Sequence, residues 1–126
     1  VDDNAVNLMV VRLMLHQCFA QAQTVEVSNG NAALQTLQAQ TFDVVLMDVF
    51  MPDMDGLETT RRLRAQLPAP ANQTPVLALT ASTDDQDHER CIAAGMNGVV
   101  HKPLVAAELI SAITAVVAPT HGRGQA

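Results

Sequence analysis

The sequence of 126 residues has no tryptophan and no tyrosine, and it has only two cysteines. Cys18 and Cys91 are far apart and lie in apolar helical patterns, so the sequence predicts buried, reduced thiols, with a catalytic cysteine as the weaker alternative. No apolar run reaches the roughly 18 residues that span a bilayer, and no secretory leader opens the sequence. A cytoplasmic domain that does not itself insert into a membrane is therefore expected.

Basic residues are also scarce. There are 7 of them against 13 acidic residues, which gives a formal net charge of -6. The only basic cluster is Arg61, Arg62 and Arg64, and it is predicted to form the solvated face of a helix. This charge balance disfavours direct binding to nucleic acid.

Short β-branched runs alternate with helical patterns along the chain. The strands are predicted at residues 25–27, 42–47, 76–79 and 99–100, and the helices at residues 6–17, 31–39, 57–67, 84–94 and 105–117. Such alternation predicts an α/β fold with a parallel sheet that helices cover on both faces. The length fits one domain, predicted over residues 1–118, and residues 119–126 are expected to form a flexible tail.

The first strand of this pattern is almost missing, because only Val1 precedes Asp2 and Asp3. A first strand is normally internal in a doubly wound sheet, so its loss would open the core. Three explanations stay open: a boundary that was cut short, residues omitted from the numbering, or a strand supplied by another chain.

Polar and charged residues stand at the ends of the predicted strands. They are Asp2, Asp3, Asp48, Thr80 and Lys102. The carboxyl ends of parallel strands meet at the sheet edge where such folds bind ligands, so we expect these side chains to lie together. Three clustered carboxylates repel one another unless a cation joins them, and oxygen ligands of this kind suit Mg²⁺. The pattern therefore predicts a divalent-metal site.

Lys102 is the only lysine of the chain. Its ammonium can pair with a phosphoryl oxygen or a carboxylate as a compact point charge. The alternative is a lysine that merely caps the sheet edge.

Together these motifs resemble the receiver domain of two-component response regulators over essentially the whole chain. The resemblance is carried by the residue groups 1–4, 46–48, 51–52, 55–56, 79–81, 94–96 and 102–104. It implies a flavodoxin-like, doubly wound, parallel five-stranded sheet in the order 2-1-3-4-5, with five helices. The style of the motifs is most similar to receivers of hybrid sensor histidine kinases, whose parent protein can be anchored in the inner membrane.

The resemblance also implies the reaction. Asp48 corresponds to the phosphoacceptor, whose carboxylate attacks the phosphorus of a phosphohistidine in a phosphorelay. Thr80 is expected to donate its hydroxyl to a phosphoryl oxygen, and Lys102 to pair with another. The bond between Lys102 and Pro103 is expected to be cis.

The same resemblance implies the metal ligands. Asp3 and Asp48 are expected to bind Mg²⁺ together with the backbone carbonyl of Phe50, and Asp2 to act through a water.

One position departs from the family pattern. Three residues before Lys102, where the family usually has an aromatic switch residue that moves with the threonine, this chain has Val99. Valine is stiff about its side-chain torsion and has no ring to relocate. Two interpretations stay open: another residue carries the switch together with Thr80, or the main output is the phosphoryl group itself, passed to a second histidine.

The partner implied is the helical bundle of a histidine kinase or histidine phosphotransfer domain. The first helix is apolar around most of its circumference, and it is expected to offer part of the docking surface. The residues predicted for this contact are Leu8, Val11, Leu15, Pro103 and Leu104. A deeply buried first helix is the alternative.

Two other functions compete with this one. A magnesium-dependent phosphatase with an aspartyl nucleophile usually needs a second acid two residues after that nucleophile, where this chain has Phe50. A phosphate-independent interaction module is disfavoured because the whole set of site residues is present.

Overall fold

The computed structural model describes residues 1–19, 23–40, 42–49, 55–68, 71–81, 85–102 and 104–121, without the side chains of residues 18 and 117–121. Five helices lie in this part of the chain: α1 (Ala5–Cys18), α2 (Gly30–Ala39), α3 (Gly56–Gln66), α4 (Asp85–Ala94) and α5 (Ala106–His121). Three strands alternate with helices α2 to α5: β1 (Val45–Asp48), β2 (Val76–Thr80) and β3 (Gly98–His101). A short 3-10 turn, Ala71–Gln73, precedes β2.

The helix starts follow from local capping. Asn4 accepts backbone hydrogen bonds from Val6 and Asn7 at the start of α1. Asn29 caps α2 in the same way, and Asp55 caps α3 through the N–H of Glu58. Side-chain oxygens at this position satisfy N–H groups that have no partner within the helix. Every helix begins within one residue of its predicted start.

The last helix runs further than predicted. α5 continues to His121, past the predicted helix end at residue 117, while the domain boundary after residue 118 stays a prediction. Leu109 and Ile113 anchor this helix in the core one turn apart, and the helix extends beyond the turns that these residues hold. The predicted tail beyond residue 121 lies outside the described residues.

The three strands are parallel and stand in the order β1, β2, β3. Val45 pairs with Val76 and Asp48 with Leu79, while Thr80 pairs with His101 in the next strand. The sequence prediction placed the first of these strands at residues 42–47, but Phe42, Asp43 and Val44 precede it and Asp48 belongs to it.

Residues 25–27 were predicted to be a strand, but the structure does not assign them to one. Their backbone joins the sheet through Val1 and Asp2, because the N–H of Asp2 donates to the carbonyl of Val27 at 3.2 Å. Val1 in turn bonds β1, donating to the carbonyl of Leu46 and accepting from the N–H of Asp48. One bond is too little for a ladder. Nevertheless, the order across the sheet is residues 25–27, residues 1–2, β1, β2 and β3, which agrees with the predicted 2-1-3-4-5 order.

An apolar cavity of about 370 Å³ lies beside residues 1–2, between α1 and the extended segments on either side. Leu8, Val11 and Leu15 of α1 line it, together with Val25 and Leu46.

Alternate residues of each strand pack on opposite faces of the sheet. Val76 and Ala78 pack with α2, α3 and α4, whereas Leu77 and Leu79 pack with α1 and α5. The layer formed with α2, α3 and α4 also contains Cys91. Burial of this residue raises the pKa of its thiol, which disfavours a reactive thiolate. This two-layer covering is the flavodoxin-like α/β arrangement that the sequence predicts.

Arg64 departs from the predicted solvated helix face. Arg61 and Arg62 pair with Glu58 on the surface of α3. The guanidinium of Arg64 instead donates five hydrogen bonds, to the carbonyls of Asn72, Thr74 and Gly95 and to the side chain of Asn97. Partial desolvation lowers its pKa, but the group stays charged. Arg64 therefore joins α3 to the loops that enter β2 and β3.

Replacing the guanidinium is expected to destabilise the fold. Arg64→Met keeps the apolar stem and leaves several carbonyls without their donor, so the free energy of unfolding should fall by about 3 kcal/mol. Arg61→Met, on the exposed side of the same helix, should change it by less than about 0.5 kcal/mol. Urea unfolding followed by circular dichroism measures both, since the chain lacks tryptophan and tyrosine. Equal losses would show that the Arg64 bonds add nothing.

Candidate active site

The strand ends bring three of the predicted site residues side by side. Asp48 is the last residue of β1, Thr80 is the last residue of β2, and Lys102 directly follows β3. Parallel pairing continues past these ends, because the N–H of Val49 donates to Leu79 at 3.2 Å and that of Lys102 donates to Thr80 at 2.8 Å. The register therefore holds the three backbones next to one another.

Asp2 and Asp3 complete this edge. The bond from the N–H of Asp48 to Val1, 2.9 Å long, places the two acidic residues directly beyond the end of β1. One carboxylate oxygen from each of Asp2, Asp3 and Asp48 lies within 4.8 Å of the others. Asp2 and Asp48 are buried and Asp3 is exposed, so the cluster opens to solvent on the Asp3 side.

Lys102 is the positive charge of the cluster. Its Nζ lies 3.4 Å from Oδ1 of Asp48 and 3.7 Å from Oδ2 of Asp2. Three carboxylates and one ammonium leave two negative charges in a largely buried edge. Charges in such surroundings repel strongly unless a cation compensates them.

The donor set fits a hard divalent cation. Oδ1 of Asp2 accepts from the N–H of Asn4, but its buried Oδ2 has no hydrogen-bond partner among the described residues. Mg²⁺ prefers oxygen ligands of this kind and is usually bound through one or two carboxylates while it keeps several waters. A divalent ion also balances the two excess negative charges. Asp2, Asp3 and Asp48 are therefore suited to hold Mg²⁺.

Two predicted site residues cannot be located. The backbone carbonyl of Phe50, predicted as a metal ligand, and Pro103, predicted as a partner contact with a cis bond to Lys102, both lie outside the described residues.

Val99 lies at the predicted switch position. Its side chain is half-buried and packs on the face of the sheet that α2, α3 and α4 cover, beside its register partner Ala78. A movement of Thr80 would act through this face of the sheet to reach α4.

The docking residues predicted on α1 are turned inward. Leu8, Val11 and Leu15 are half-buried, and the last two pack against the core layer beneath α5. The exposed apolar residues lie on the other side of the helix, at positions three and four apart. They are Val6, Met9, Val10 and Leu13, and we call them the α1 stripe. The sequence could not separate the two faces because both are apolar.

The α1 stripe is continuous with the site. Val10 lines a cavity of about 260 Å³ together with Asp2, Lys102 and Leu104. Leu104 is half-buried and Val105, next to it, is exposed. An apolar surface therefore begins at the edge of the carboxylate cluster.

Gly56 is a residue of the site edge whose contact sequence reasoning missed. It is the first residue of α3, and its N–H donates to the carbonyl of Val49, directly after Asp48. In the sequence, residues 55–56 stand out only as part of the family motif, and a glycine directly before the predicted start of α3 is the one signal of a close contact.

Comparison with known proteins identifies the family. The family model for the response regulator receiver domain matches residues 1–114. The chain belongs to the response regulator receiver family. A receiver is a phosphoacceptor domain, and this is the function of the chain at the level of its family. Among the described helices of this receiver, none is both long and apolar enough to cross a membrane.

Similar sequences occur within longer proteins. The receiver is 37% identical to Probable histidine kinase 4 of Oryza sativa subsp. japonica, over 94% of this chain and 14% of that protein. It is also 37% identical to Sensor protein GacS of Pseudomonas syringae pv. syringae, over 90% of this chain and 12% of that protein. The chain thus spans only a small part of these curated relatives.

A solved structure resembles the receiver in both fold and sequence. It is the receiver domain of a sensor histidine kinase from Pseudomonas aeruginosa PAO1, described with a magnesium ion coordinated in the active site cleft. The identity is 35%, the TM-score is 0.82, and the match covers 94% of this chain and 93% of that one. The chemotaxis protein CheY4 of Vibrio cholerae aligns with a TM-score of 0.81 at 29% identity, over 91% of this chain and 92% of that one.

The carboxylate cluster should bind Mg²⁺ measurably. Asp3→Asn removes one charge from an exposed ligand without disturbing the core. Loss of even an outer-shell partner of a metal site weakens metal affinity about tenfold or more, so we expect the dissociation constant for Mg²⁺ to rise at least about tenfold. Asp43→Asn, an exposed acidic residue before β1, should leave it unchanged. Calorimetric titration of the two variants provides the comparison, and equal affinities would contradict the assignment.

Proposed function

We propose that Asp48 accepts a phosphoryl group from a phosphohistidine, in a Mg²⁺-dependent reaction that the residues of this domain themselves catalyse. The observation that carries the proposal is the position of Lys102, within 4 Å of Asp48 and Asp2 at the open edge of a parallel sheet. A buried nucleophile, two further carboxylates and one cation are what in-line phosphoryl transfer to an aspartate requires.

The transfer forms one bond and breaks another. A carboxylate oxygen of Asp48 bonds to phosphorus while the P–N bond breaks, and its electron pair stays on the imidazole nitrogen of the donor. Asp3 and Asp48, with Asp2 acting through a water, would hold Mg²⁺, which would neutralise charge on the transferred group. Lys102 and the hydroxyl of Thr80 meet the remaining phosphoryl oxygens, and such preorganised donors lower the barrier most when charge is developing.

The donor, in this proposal, is a histidine kinase or a histidine phosphotransfer domain that docks on the α1 stripe. Residues spaced three and four apart form one ridge of a helix, and such ridges pack into the grooves of another helix. The stripe begins beside the Asp48 edge, so a helical bundle seated on it brings its own side chains toward the nucleophile. An exposed apolar strip of this kind is a common mark of a protein contact.

Onward transfer of the phosphoryl group is our preferred output. Val99 is stiff and half-buried, and it has no ring with which to follow Thr80. We also propose that the parent protein is a hybrid histidine kinase, since the matched segment forms a small part of the kinase relatives. A cytoplasmic location of this domain stays a prediction.

Substitution of the nucleophile tests the chemistry. Incubated with Mg²⁺ and acetyl phosphate, the unaltered protein should gain the mass of one phosphoryl group, whereas Asp48→Asn should gain none because an amide is not a nucleophile for this reaction. Asp43→Asn should behave like the unaltered protein. Mass spectrometry of intact protein provides the measurement, and a stable phosphoryl gain in Asp48→Asn would overturn the assignment. Steady release of phosphate from external esters would favour the phosphatase alternative instead.

Charge on the α1 stripe tests the docking surface. Leu13→Glu should slow transfer from a phosphorylated histidine phosphotransfer domain about tenfold, which corresponds to 1.4 kcal/mol of lost binding. Phosphorylation by acetyl phosphate should stay unchanged, because Leu13 is 53% exposed and does not line the cavity beside Asp2 and Lys102. Ile92→Glu, an equally apolar and exposed position on α4, serves as the control. If Leu13→Glu slows phosphorylation by acetyl phosphate as much as transfer from the phosphotransfer domain, the substitution has damaged the site and the docking proposal fails.

A further inference from the structure

Gly56 lies against the backbone of the strand end that carries Asp48. A Cβ built on Gly56 would stand 2.4 Å from the carbonyl oxygen of Asp48, 2.9 Å from Cγ of Met47 and 3.0 Å from Cα of Val49. Two of these three atoms belong to the backbone, which cannot move aside as a flexible side chain can. Gly56 does not have the positive φ that favours glycine, since Gly95 alone does among the described residues. Glycine is therefore needed at this position for space.

The strand end is held on its other sides. The N–H of Asp48 donates to Val1, and that of Val49 donates to Leu79 of β2. The carbonyl of Val49 accepts from the N–H of Gly56 at 2.9 Å. Asp48 thus lies between two strand neighbours and the first residue of α3.

The first turn of α3 is equally fixed. Thr59 and Thr60 are fully buried, and their hydroxyls donate to the carbonyls of Asp55 and Gly56 at 2.9 and 2.8 Å. The carboxylate of Asp55 caps the same turn. Both threonines of this turn are fully buried, so moving α3 away from β1 at Gly56 would disturb their packing. A side chain there would displace the strand end instead.

We propose that Gly56 is a positioning residue: the absence of a side chain at this position lets α3 press against β1 and sets where the Asp48 carboxylate lies relative to Asp2, Asp3 and Lys102. This rests on the proposed function for its catalytic consequence, but its effect on metal binding does not depend on phosphorylation. A misplacement of about 1 Å at a reacting group can cost on the order of a hundredfold in rate.

The test is Gly56→Ala, with Gly98→Ala as its matched control. A Cβ on Gly98 meets only Cδ2 of Leu77, the far end of a flexible side chain, at the opposite end of the sheet from Asp48. Both variants are compared by urea unfolding, by Mg²⁺ titration of the Asp48 amide resonance, and by phosphorylation rate at saturating Mg²⁺ per folded molecule.

We expect Gly56→Ala to weaken Mg²⁺ binding and to lower the saturated rate, each by about tenfold or more, and to shift the Asp48 amide resonance before Mg²⁺ is added. Gly98→Ala should change stability alone. Unaltered Mg²⁺ affinity and Asp48 resonance in Gly56→Ala would overturn the positioning role. So would a variant that stays unfolded even in sucrose, which favours the folded state, because Gly56 would then serve stability only. If the proposed phosphorylation itself fails, the Mg²⁺ titration still decides the role of Gly56.

Discussion

The register of the parallel sheet is the constraint on which the rest of this structure depends. Side chains alternate between the two faces of a strand, so a slip of one residue would exchange the faces of every side chain on it. The pairing of Asp48 with Leu79 and of Thr80 with His101 therefore fixes both core layers at once. It also brings the ends of all strands to one level, where Asp48, Thr80 and Lys102 meet.

Electrostatics at that edge runs against stability. Asp2 and Asp48 are buried, and removing carboxylates from water costs several kcal/mol for each ion unless partners compensate. Lys102 supplies one such partner, and the remaining charge is what a divalent ion balances. A protein selected for stability alone would fill this edge with apolar residues, so the retained charge supports the proposal that phosphoryl transfer takes place there.

Sequence reasoning found the fold class because it follows from local signals, and the predicted site at the strand ends rests on signals of the same kind. Asp48 was recognisable as an ionisable group at the end of an apolar run, and each helix start was marked by a change of period. What the sequence could not show depends on three-dimensional contact. The inward and outward faces of α1 are both apolar, so the sequence does not distinguish them. The place of residues 25–27 in the sheet depends on their contact with Val1 and Asp2. The close approach of Gly56 to Asp48 joins positions on either side of a loop. Arg64 has the same sequence character as Arg61, but only one of them lies over unpaired carbonyls.

The Arg64 bonds have a mechanical consequence for α4. Two of them end on the carbonyl of Gly95, directly after the last residue of that helix, and Asn97 extends the connection to β2. Gly95 adopts a φ of 109°, and the lack of a side chain there leaves room for the stem of Arg64, whose Cγ would stand 2.9 Å from a Cβ at this position. Any displacement of α4 that keeps these bonds is a rotation about its carboxyl end. Such a lever moves least at Ala94 and most at Asp85, the end that begins just beyond the Thr80 strand.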